Sequence, residues 1–118
     1  MPWSLDDLDT PAVLVDLDKV GANLRRAQAY ADAHELVLRP HIKTHKIPEF
    51  AKKQVELGAI GITCQKLGEA EVMADHGIED ILLSFNLLGR VKMQRLVALA
   101  QRVRLSVTLD NAVVAGEI

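Results

Sequence analysis

Residues 59–85 read AIGITCQKLGEAEVMADHGIEDILLSF, and this stretch places one helix pattern between two strand patterns. Residues 59–64 are apolar and β-branched, and residues 80–85 are again strand-like, as expected of buried strands. Residues 66–76 are helical in pattern, and Gly77 follows as a helix terminator. The stretch therefore predicts a strand, a helix and a second strand, the repeating unit of a parallel α/β sheet.

The same alternation continues on both sides of this stretch. Further strands are predicted at residues 12–17, 36–43 and 104–109. Further helices are predicted from an N-cap at Asp18 to about His34, over residues 49–57 between Pro48 and Gly58, and over residues 90–101. The four strands from residue 36 onward, each separated by a helix, predict parallel pairing with right-handed crossovers.

Parallel strands of this kind form either an open doubly wound sheet or a closed (β/α) barrel, and strand counting favours half of a barrel. A complete eight-stranded barrel takes about 250 residues. This sequence reaches Ile118 inside the opening of a further helix. We therefore expect residues 1–118 to be the N-terminal part of a barrel domain, and the isolated chain to be inactive.

Composition limits the classes of function. The chain has 14 Lys plus Arg against 16 Asp plus Glu, a net charge of −2, which disfavours nucleic acid as a partner. Apolar residues make up 49%, but no apolar run approaches the roughly 18 residues of a membrane span. One cysteine, Cys64, and a start over residues 1–7 without a basic flank or apolar run lead us to expect a cytoplasmic protein.

Polar side chains recur on one face of the predicted sheet. Strand alternation puts Val37, Arg39, His41 and Lys43 on one face, opposite an apolar set. The later strands repeat this pattern with Gly61, Thr63 and Gln65, with Ser84 and Asn86, and with Ser106, Thr108 and Asp110. These sets approach the carboxyl ends of the strands, where parallel α/β proteins bind ligands.

Lys43 is the leading candidate for chemistry on this face. An inward lysine beside Arg39, His41 and His45 is expected to be desolvated and repelled by like charge, and both effects favour the neutral amine. A neutral amine is the nucleophile that condenses with a carbonyl substrate or with pyridoxal phosphate.

Two other interpretations of residues 39–46 stay open. The stretch could be an exposed strand end and loop with solvated charges, or His41 and His45 could converge on a metal, although no carboxylate or third ligand is placed nearby. Elsewhere, Cys64 is predicted to be a packing residue and Glu71 to be solvated or ion-paired. The sequence has no Walker loop or Gly-x-Gly-x-x-Gly element.

Four short motifs together resemble a known family. They are residues 10–18 (TPAVLVDLD), Arg39-Pro40-His41-Ile42-Lys43-Thr44-His45-Lys46, Cys64-Gln65-Lys66 and Glu69-Ala70-Glu71. The chain resembles, over essentially its whole length, the N-terminal part of the D-threonine aldolase and D-serine dehydratase-like family, pyridoxal phosphate enzymes of the alanine racemase fold. The resemblance implies a parallel (β/α) barrel followed by a mainly β domain that residues 10–17 join as a strand.

The resemblance also implies roles for individual residues. Lys43 would form the Schiff base with the cofactor and act in catalysis together with His45. Gln65 would contact the cofactor at the end of the next barrel strand, and Arg39 and His41 would line the same site. The phosphate-binding loops, the residue facing the pyridine nitrogen and the ligands of a divalent metal would come from sequence beyond residue 118, so no metal ligand is expected here.

The activity implied for the full-length protein is metal-assisted retro-aldol cleavage of a D-β-hydroxy-α-amino acid, such as D-threonine to glycine and acetaldehyde. One alternative is D-serine dehydration to pyruvate and ammonia, and others are a noncatalytic pyridoxal phosphate-binding protein and a basic-loop interaction module. The implied partners are a small D-amino acid and a second copy of the chain in a homodimer.

Overall fold

Residues 4–118 are described by a computed structural model in which helices and short strands alternate. The helices of this part of the chain are α1 (Leu17–Ala33), α2 (Pro48–Leu57), α3 (Leu67–Asp75), α4 (Arg90–Ala100) and α5 (Ala112–Glu117). The strands are β1 (Ile62–Cys64), β2 (Asp80–Leu83) and β3 (Arg104–Val107). Two 3₁₀ turns lie at Leu5–Asp7 and Ile42–Thr44. Residues 1–7 were predicted not to be a secretory signal, and residues 1–3 of this segment lie outside the described residues.

The three strands form one parallel sheet in the order β1-β2-β3. Ile62 pairs with Ile81, and Ile81 pairs with Leu105, so the strands follow one another in sequence order. Such neighbouring parallel strands require the crossover helices that the alternating pattern predicted. The strand–helix–strand unit at residues 59–85 is thus confirmed, with strands shorter than predicted.

The core lies between one face of the sheet and the helices. Ile62, Cys64, Ile81 and Leu83 are fully buried, and Met73 of α3 belongs to the same apolar cluster. Burying each large side chain of this kind stabilises the fold by about 2 kcal/mol. The opposite face carries Thr63 of β1, Leu82 of β2 and Ser106 of β3, so the predicted polar face holds for β1 and β3, whereas Ser84 and Asn86 come after the end of β2.

The first helix begins earlier than predicted. Asp16, not Asp18, is its N-cap, because Asp16 has an extended backbone and its side chain accepts a hydrogen bond from the Lys19 N–H at 3.0 Å. Asp18 lies instead in the first turn, where its negative charge favours the helix dipole. The predicted end near His34 is correct, since α1 ends at Ala33 and His34 is its C-cap.

The predicted strand at residues 12–17 is wrong for residues 4–118. Residues 12–16 have no regular structure, and Val13 and Leu14 are 95% and 63% exposed. A strand needs a neighbour to pair its backbone groups, and no described residue pairs with this segment. The segment therefore forms no strand among the described residues, although its composition favours one.

The predicted strand at residues 36–43 is only partly formed. The Ile60 N–H donates to Leu38 O at 3.0 Å, the Thr63 N–H donates to Pro40 O at 2.8 Å, and His41 forms an isolated parallel bridge with Thr63. Pro40 has no N–H to extend the ladder. The segment is thus an extended edge beside β1 and gives way to the 3₁₀ turn at Ile42–Thr44.

No helix among residues 4–118 combines the length and the apolar character needed to cross a bilayer.

Candidate functional site

A polar surface follows the open face of the sheet toward the carboxyl ends of the strands. His41 aligns with Thr63, Thr63 with Leu82, and Leu82 with Ser106, which makes one row across the sheet. Thr63 is buried, whereas Ser106 is exposed. Residues 4–118 therefore leave the β3 side of this face open to solvent.

Lys43 lies on the 3₁₀ turn directly beyond this row. Within residues 4–118 the Lys43 side chain is exposed, which corrects our prediction of a desolvated, inward lysine. Lys43 is exposed because strand alternation ends at His41, and the 3₁₀ turn changes the direction of the side chains that follow. The described residues leave Lys43 accessible from solvent at the carboxyl edge of the sheet.

His41 fixes this turn through both nitrogens of its ring. Nδ1 accepts a hydrogen bond from the Lys43 N–H at 3.2 Å, and Nε2 lies 3.4 Å from Ser84 Oγ, directly after β2. The Ser84 hydroxyl in turn donates to Cys64 O at 3.3 Å. These partners assign the proton of the neutral imidazole to Nε2, which donates to Ser84. His41 thus joins the Lys43 backbone to the end of β2.

His45 does not line this surface. Its Nδ1 accepts from the Ile47 N–H at 3.0 Å, and its ring packs edge-on against Phe50 of α2 with centroids 5.6 Å apart. Burial lowers the pKa of His45, and the nearby side chain of Gln54 on α2 opposes the effect. Within residues 4–118 His45 thus follows the turn and faces α2, and its predicted catalytic role stays a prediction.

Arg39 lies at the opposite edge of the sheet. Its Nη1 is 2.7 Å from Asp80 Oδ1, at the first residue of β2, and Arg104 Nε is 3.8 Å from the other oxygen of Asp80. Gly61 makes room for the guanidinium, since a Cβ there would lie 2.6 Å from Arg39 Nη1. Within residues 4–118 Arg39 thus pairs with Asp80, and its predicted contact with the cofactor stays a prediction.

Gln65 comes directly after β1 and is held by a carboxylate. Its N–H donates to Glu69 Oε2 at 2.9 Å, and the Lys66 N–H donates to the same oxygen at 3.3 Å. Lys46 Nζ lies 3.0 Å from the other oxygen of Glu69. Burial acts to raise the pKa of Glu69, but the ion pair with Lys46 and the hydrogen bonds from the two amides outweigh burial and lower the pKa.

Sequence reasoning missed Glu69 and Lys46 as supports of the site. The one signal was the spacing of a helix-capping acid, with Glu69 three residues after the N-cap. The N-cap itself is Lys66 rather than serine or threonine, so the motif is incomplete in the sequence. Ser84 was assigned to the polar face, but its bond with His41 depends on the packing of two distant segments.

Two weaker candidates are as predicted. Cys64 is fully buried, and burial with the nearby charge of Glu69 raises the pKa of its thiol to about 12, which removes it as a nucleophile at neutral pH. Glu71 forms an ion pair with Arg95 of α4, with Arg95 Nε 2.9 Å from Glu71 Oε1.

A cleft of about 340 Å³ opens beside this surface at the ends of β2 and β3. It is lined by Ser84, Phe85, Asn86, Thr108, Leu109 and Asp110. A larger cleft of about 560 Å³ lies between α1 and residues 36–38, but its lining is mainly apolar and contains none of the predicted site residues. The smaller cleft is therefore the better candidate for a ligand. Within residues 4–118 no three His, Cys, Asp or Glu side chains come together as a metal site.

Comparisons with known proteins agree on one family. The family model described as alanine racemase, N-terminal domain, matches residues 15–118. A D-threonine aldolase of Arthrobacter sp is 48% identical over 105 residues, which cover 89% of this chain and 28% of that protein. The D-threo-3-hydroxyaspartate dehydratase of Delftia sp. (strain HT23) is 37% identical over 118 residues, all of this chain and 31% of that protein.

Solved structures give the same result for the fold. The crystal structure of D-threonine aldolase from Filomicrobium marinum matches with a TM-score of 0.91 and 43% identity, over 96% of this chain and 31% of that chain. The match confirms the predicted α/β fold with a parallel sheet. This chain spans only about three tenths of the length of these relatives.

Proposed function

Because the chain belongs to the alanine racemase N-terminal domain family, we propose that it is the N-terminal part of a pyridoxal phosphate-binding (β/α) barrel in a lyase acting on D-β-hydroxy-α-amino acids. The position of Lys43 carries the proposal, since this exposed lysine lies on a turn at the carboxyl edge of a parallel sheet. Parallel α/β proteins bind their ligands at this edge. The remaining strands and a C-terminal β domain would follow residue 118.

The residues around Lys43 suit pyridoxal phosphate. An accessible lysine amine is the group that bonds to the cofactor aldehyde. The cleft at the ends of β2 and β3, whose Ser84 lies 3.4 Å from His41, offers the hydroxyls of Ser84 and Thr108 and the amide of Asn86 as hydrogen-bonding partners for a polar aromatic ring. When bound, pyridoxal phosphate supplies a ring that accepts the electron pair released at the substrate Cα.

Each residue at this edge has a distinct proposed role. The Lys43 amine holds the cofactor and, once released by the substrate amine, moves a proton at the substrate Cα. His41 orients the turn through the Lys43 N–H, and Gln65 contacts the cofactor from the end of β1. We also propose His45 as a second catalytic group and Arg39 as a residue that lines the cofactor site, although within residues 4–118 His45 packs against Phe50 and Arg39 pairs with Asp80.

The reaction best supported is retro-aldol cleavage, because the chain is 48% identical to a D-threonine aldolase. The Cα–Cβ bond of D-threonine breaks, the β-hydroxyl loses its proton as the aldehyde forms, and Cα gains a proton to give glycine. A divalent metal at the β-hydroxyl would assist this step, with ligands from sequence beyond residue 118.

Dehydration is the second candidate, supported by the dehydratase relative that aligns with all 118 residues. Lys43 would then take the Cα proton, and the β-hydroxyl would leave as water. Incubation of the full-length protein with D-threonine, D-serine and D-threo-3-hydroxyaspartate separates the two reactions. Glycine with an aldehyde marks the aldolase, whereas a keto acid with ammonia marks the dehydratase. Turnover of none of the three would favour a noncatalytic cofactor-binding protein.

The cofactor itself is tested by absorbance. Pyridoxal phosphate added to the full-length protein is expected to produce a visible band that Lys43→Ala abolishes. Lys52→Ala, which removes an exposed lysine from α2, is the matched control and should retain the band. A band that survives in Lys43→Ala, or no band in the wild type, would refute the assignment and would favour the basic-loop interaction module.

We also propose a homodimer in the cytoplasm, supported by the family resemblance. Sedimentation of the full-length protein tests the dimer, which a monomer at micromolar concentration would contradict.

A further inference from the structure

The Glu69 carboxylate bridges two separate parts of the candidate site. It lies in the first turn of α3 with only 11% of its side chain exposed. One oxygen accepts from the backbone amides of Gln65 and Lys66, at the end of β1. The other oxygen lies 3.0 Å from Lys46 Nζ, on the segment that follows the Lys43 turn.

Lys46 closes the turn that carries Lys43. Its N–H donates to Ile42 O at 2.8 Å, across the whole 3₁₀ turn. Lys46 also has a φ of +56°, in the left-handed region that residues with a side chain rarely adopt. Such a conformation persists where neighbouring interactions hold it. The ion pair with Glu69 is the interaction that the structure provides for the Lys46 side chain.

Glu71 is a carboxylate of α3 that does not bridge the Lys43 turn and the end of β1. It lies two residues later on the same helix and also forms an ion pair, with Arg95. That pair joins α3 to α4, and its side chains are 28% and 45% exposed. Neither Glu71 nor Arg95 contacts the turn or the end of β1 in the hydrogen bonds of the described residues.

We propose that Glu69 is a positioning residue that couples the Lys43 turn to Gln65, so that the amine and the end of β1 keep a fixed relative placement. The inference rests on the proposed function for its catalytic consequence. Its mechanical part, that the carboxylate restrains the turn through Lys46, holds for the protein without cofactor.

The mechanical part is tested by amide hydrogen exchange in the cofactor-free, full-length protein. Glu69→Gln should speed exchange at Gln65 and Lys66 by about tenfold or more, because a charge-assisted hydrogen bond is weakened. The amide of Lys46 should speed up as well, because the turn loses its restraint. Glu71→Gln should change none of the three amides. Unchanged exchange at Lys46 in Glu69→Gln would overturn the coupling.

Lys46→Met removes the ion pair while leaving the helix cap in place. The amides of Gln65 and Lys66 should then keep their protection, whereas the amide of residue 46 exchanges faster. If Glu69→Gln does not fold, this variant decides the question alone, and an unchanged amide at residue 46 refutes the coupling.

The catalytic part is tested by kinetics of the same variants. Glu69→Gln and Lys46→Met should each lower kcat by about tenfold with KM changed less than about twofold, because the misplaced group acts after substrate binding. Glu71→Gln should match the wild type. An unchanged kcat in Glu69→Gln would reduce Glu69 to a structural cap. A wild-type protein that binds no pyridoxal phosphate would instead refute the proposed function and leave the exchange result standing.

Discussion

The two edges of the sheet hold their polar side chains in different ways. At the amino edge, Arg39 and Asp80 pair side chain to side chain, and each is only about one fifth exposed. At the carboxyl edge, His41 and Glu69 bond to backbone amides of the segments they support, Glu69 also pairs with Lys46, and Lys43 stays exposed. The amino edge therefore only pairs its charges with one another, whereas the carboxyl edge also orders its backbone and leaves the Lys43 amine accessible.

The largest expected effect is at the amino edge, in Gly61→Ala. The added Cβ would lie 2.4 Å from Asp80 O and 2.6 Å from Arg39 Nη1, so β1 or β2 has to shift. We expect the free energy of unfolding to fall by about 3 kcal/mol. Denaturant titration of the full-length protein measures this loss. Gly116→Ala is the control, since its Cβ meets nothing within 4 Å. Equal midpoints for the two variants would show that the amino edge is not tightly packed.

A smaller effect of a different kind is expected at the carboxyl edge, in His41→Phe. The ring size is kept, but the bonds to the Lys43 N–H and to Ser84 Oγ are lost. The dissociation constant for pyridoxal phosphate should rise by about tenfold, while the free energy of unfolding changes by less than about 1.5 kcal/mol. Titration of the visible band measures the affinity. Wild-type affinity in this variant would remove His41 from the site and weaken the contrast between the edges.

The smallest expected effect is on the pH dependence of the free energy of unfolding, and it involves His45. Burial lowers the pKa of His45 in the folded protein below the ordinary value of 6.5, so the unfolded chain binds more protons below that pH. The free energy of unfolding therefore decreases as the pH falls from 6.5 through the lowered pKa of the folded state, because protonation of His45 favours the unfolded chain. Denaturant titrations between about pH 5 and about pH 8 measure the change of the free energy of unfolding with pH in the wild type and in His45→Gln. An identical slope in both proteins would mean that His45 is not buried against α2.

Much of the fold could be predicted because its pattern is local. The apolar run of residues 81–83 and the helical spacing between Pro48 and Gly58 each predict the element that forms there. The segments at residues 12–17 and 36–43 have the same β-rich composition but lack a complete set of partners among residues 4–118. Strand propensity without a neighbouring strand gave the wrong structure there.

The site was predictable where the backbone stayed extended. His41 lies on the polar face as alternation predicted, because it still pairs with Thr63. Beyond it the turn changes the direction of each side chain, so His45 faces α2 and Lys43 is exposed. Glu69 was hidden for another reason, since a capping carboxylate in the first turn of a helix looks in sequence like any surface acid.

The central claim is that Lys43 is the residue that binds pyridoxal phosphate. The most direct measurement is borohydride reduction of the full-length protein with the cofactor, followed by peptide mapping by mass spectrometry. We expect a stable pyridoxyl group on Lys43 alone among the lysines of the turn. A label on Lys46 or Lys66 with Lys43 unmodified, or no label on any lysine, would contradict it.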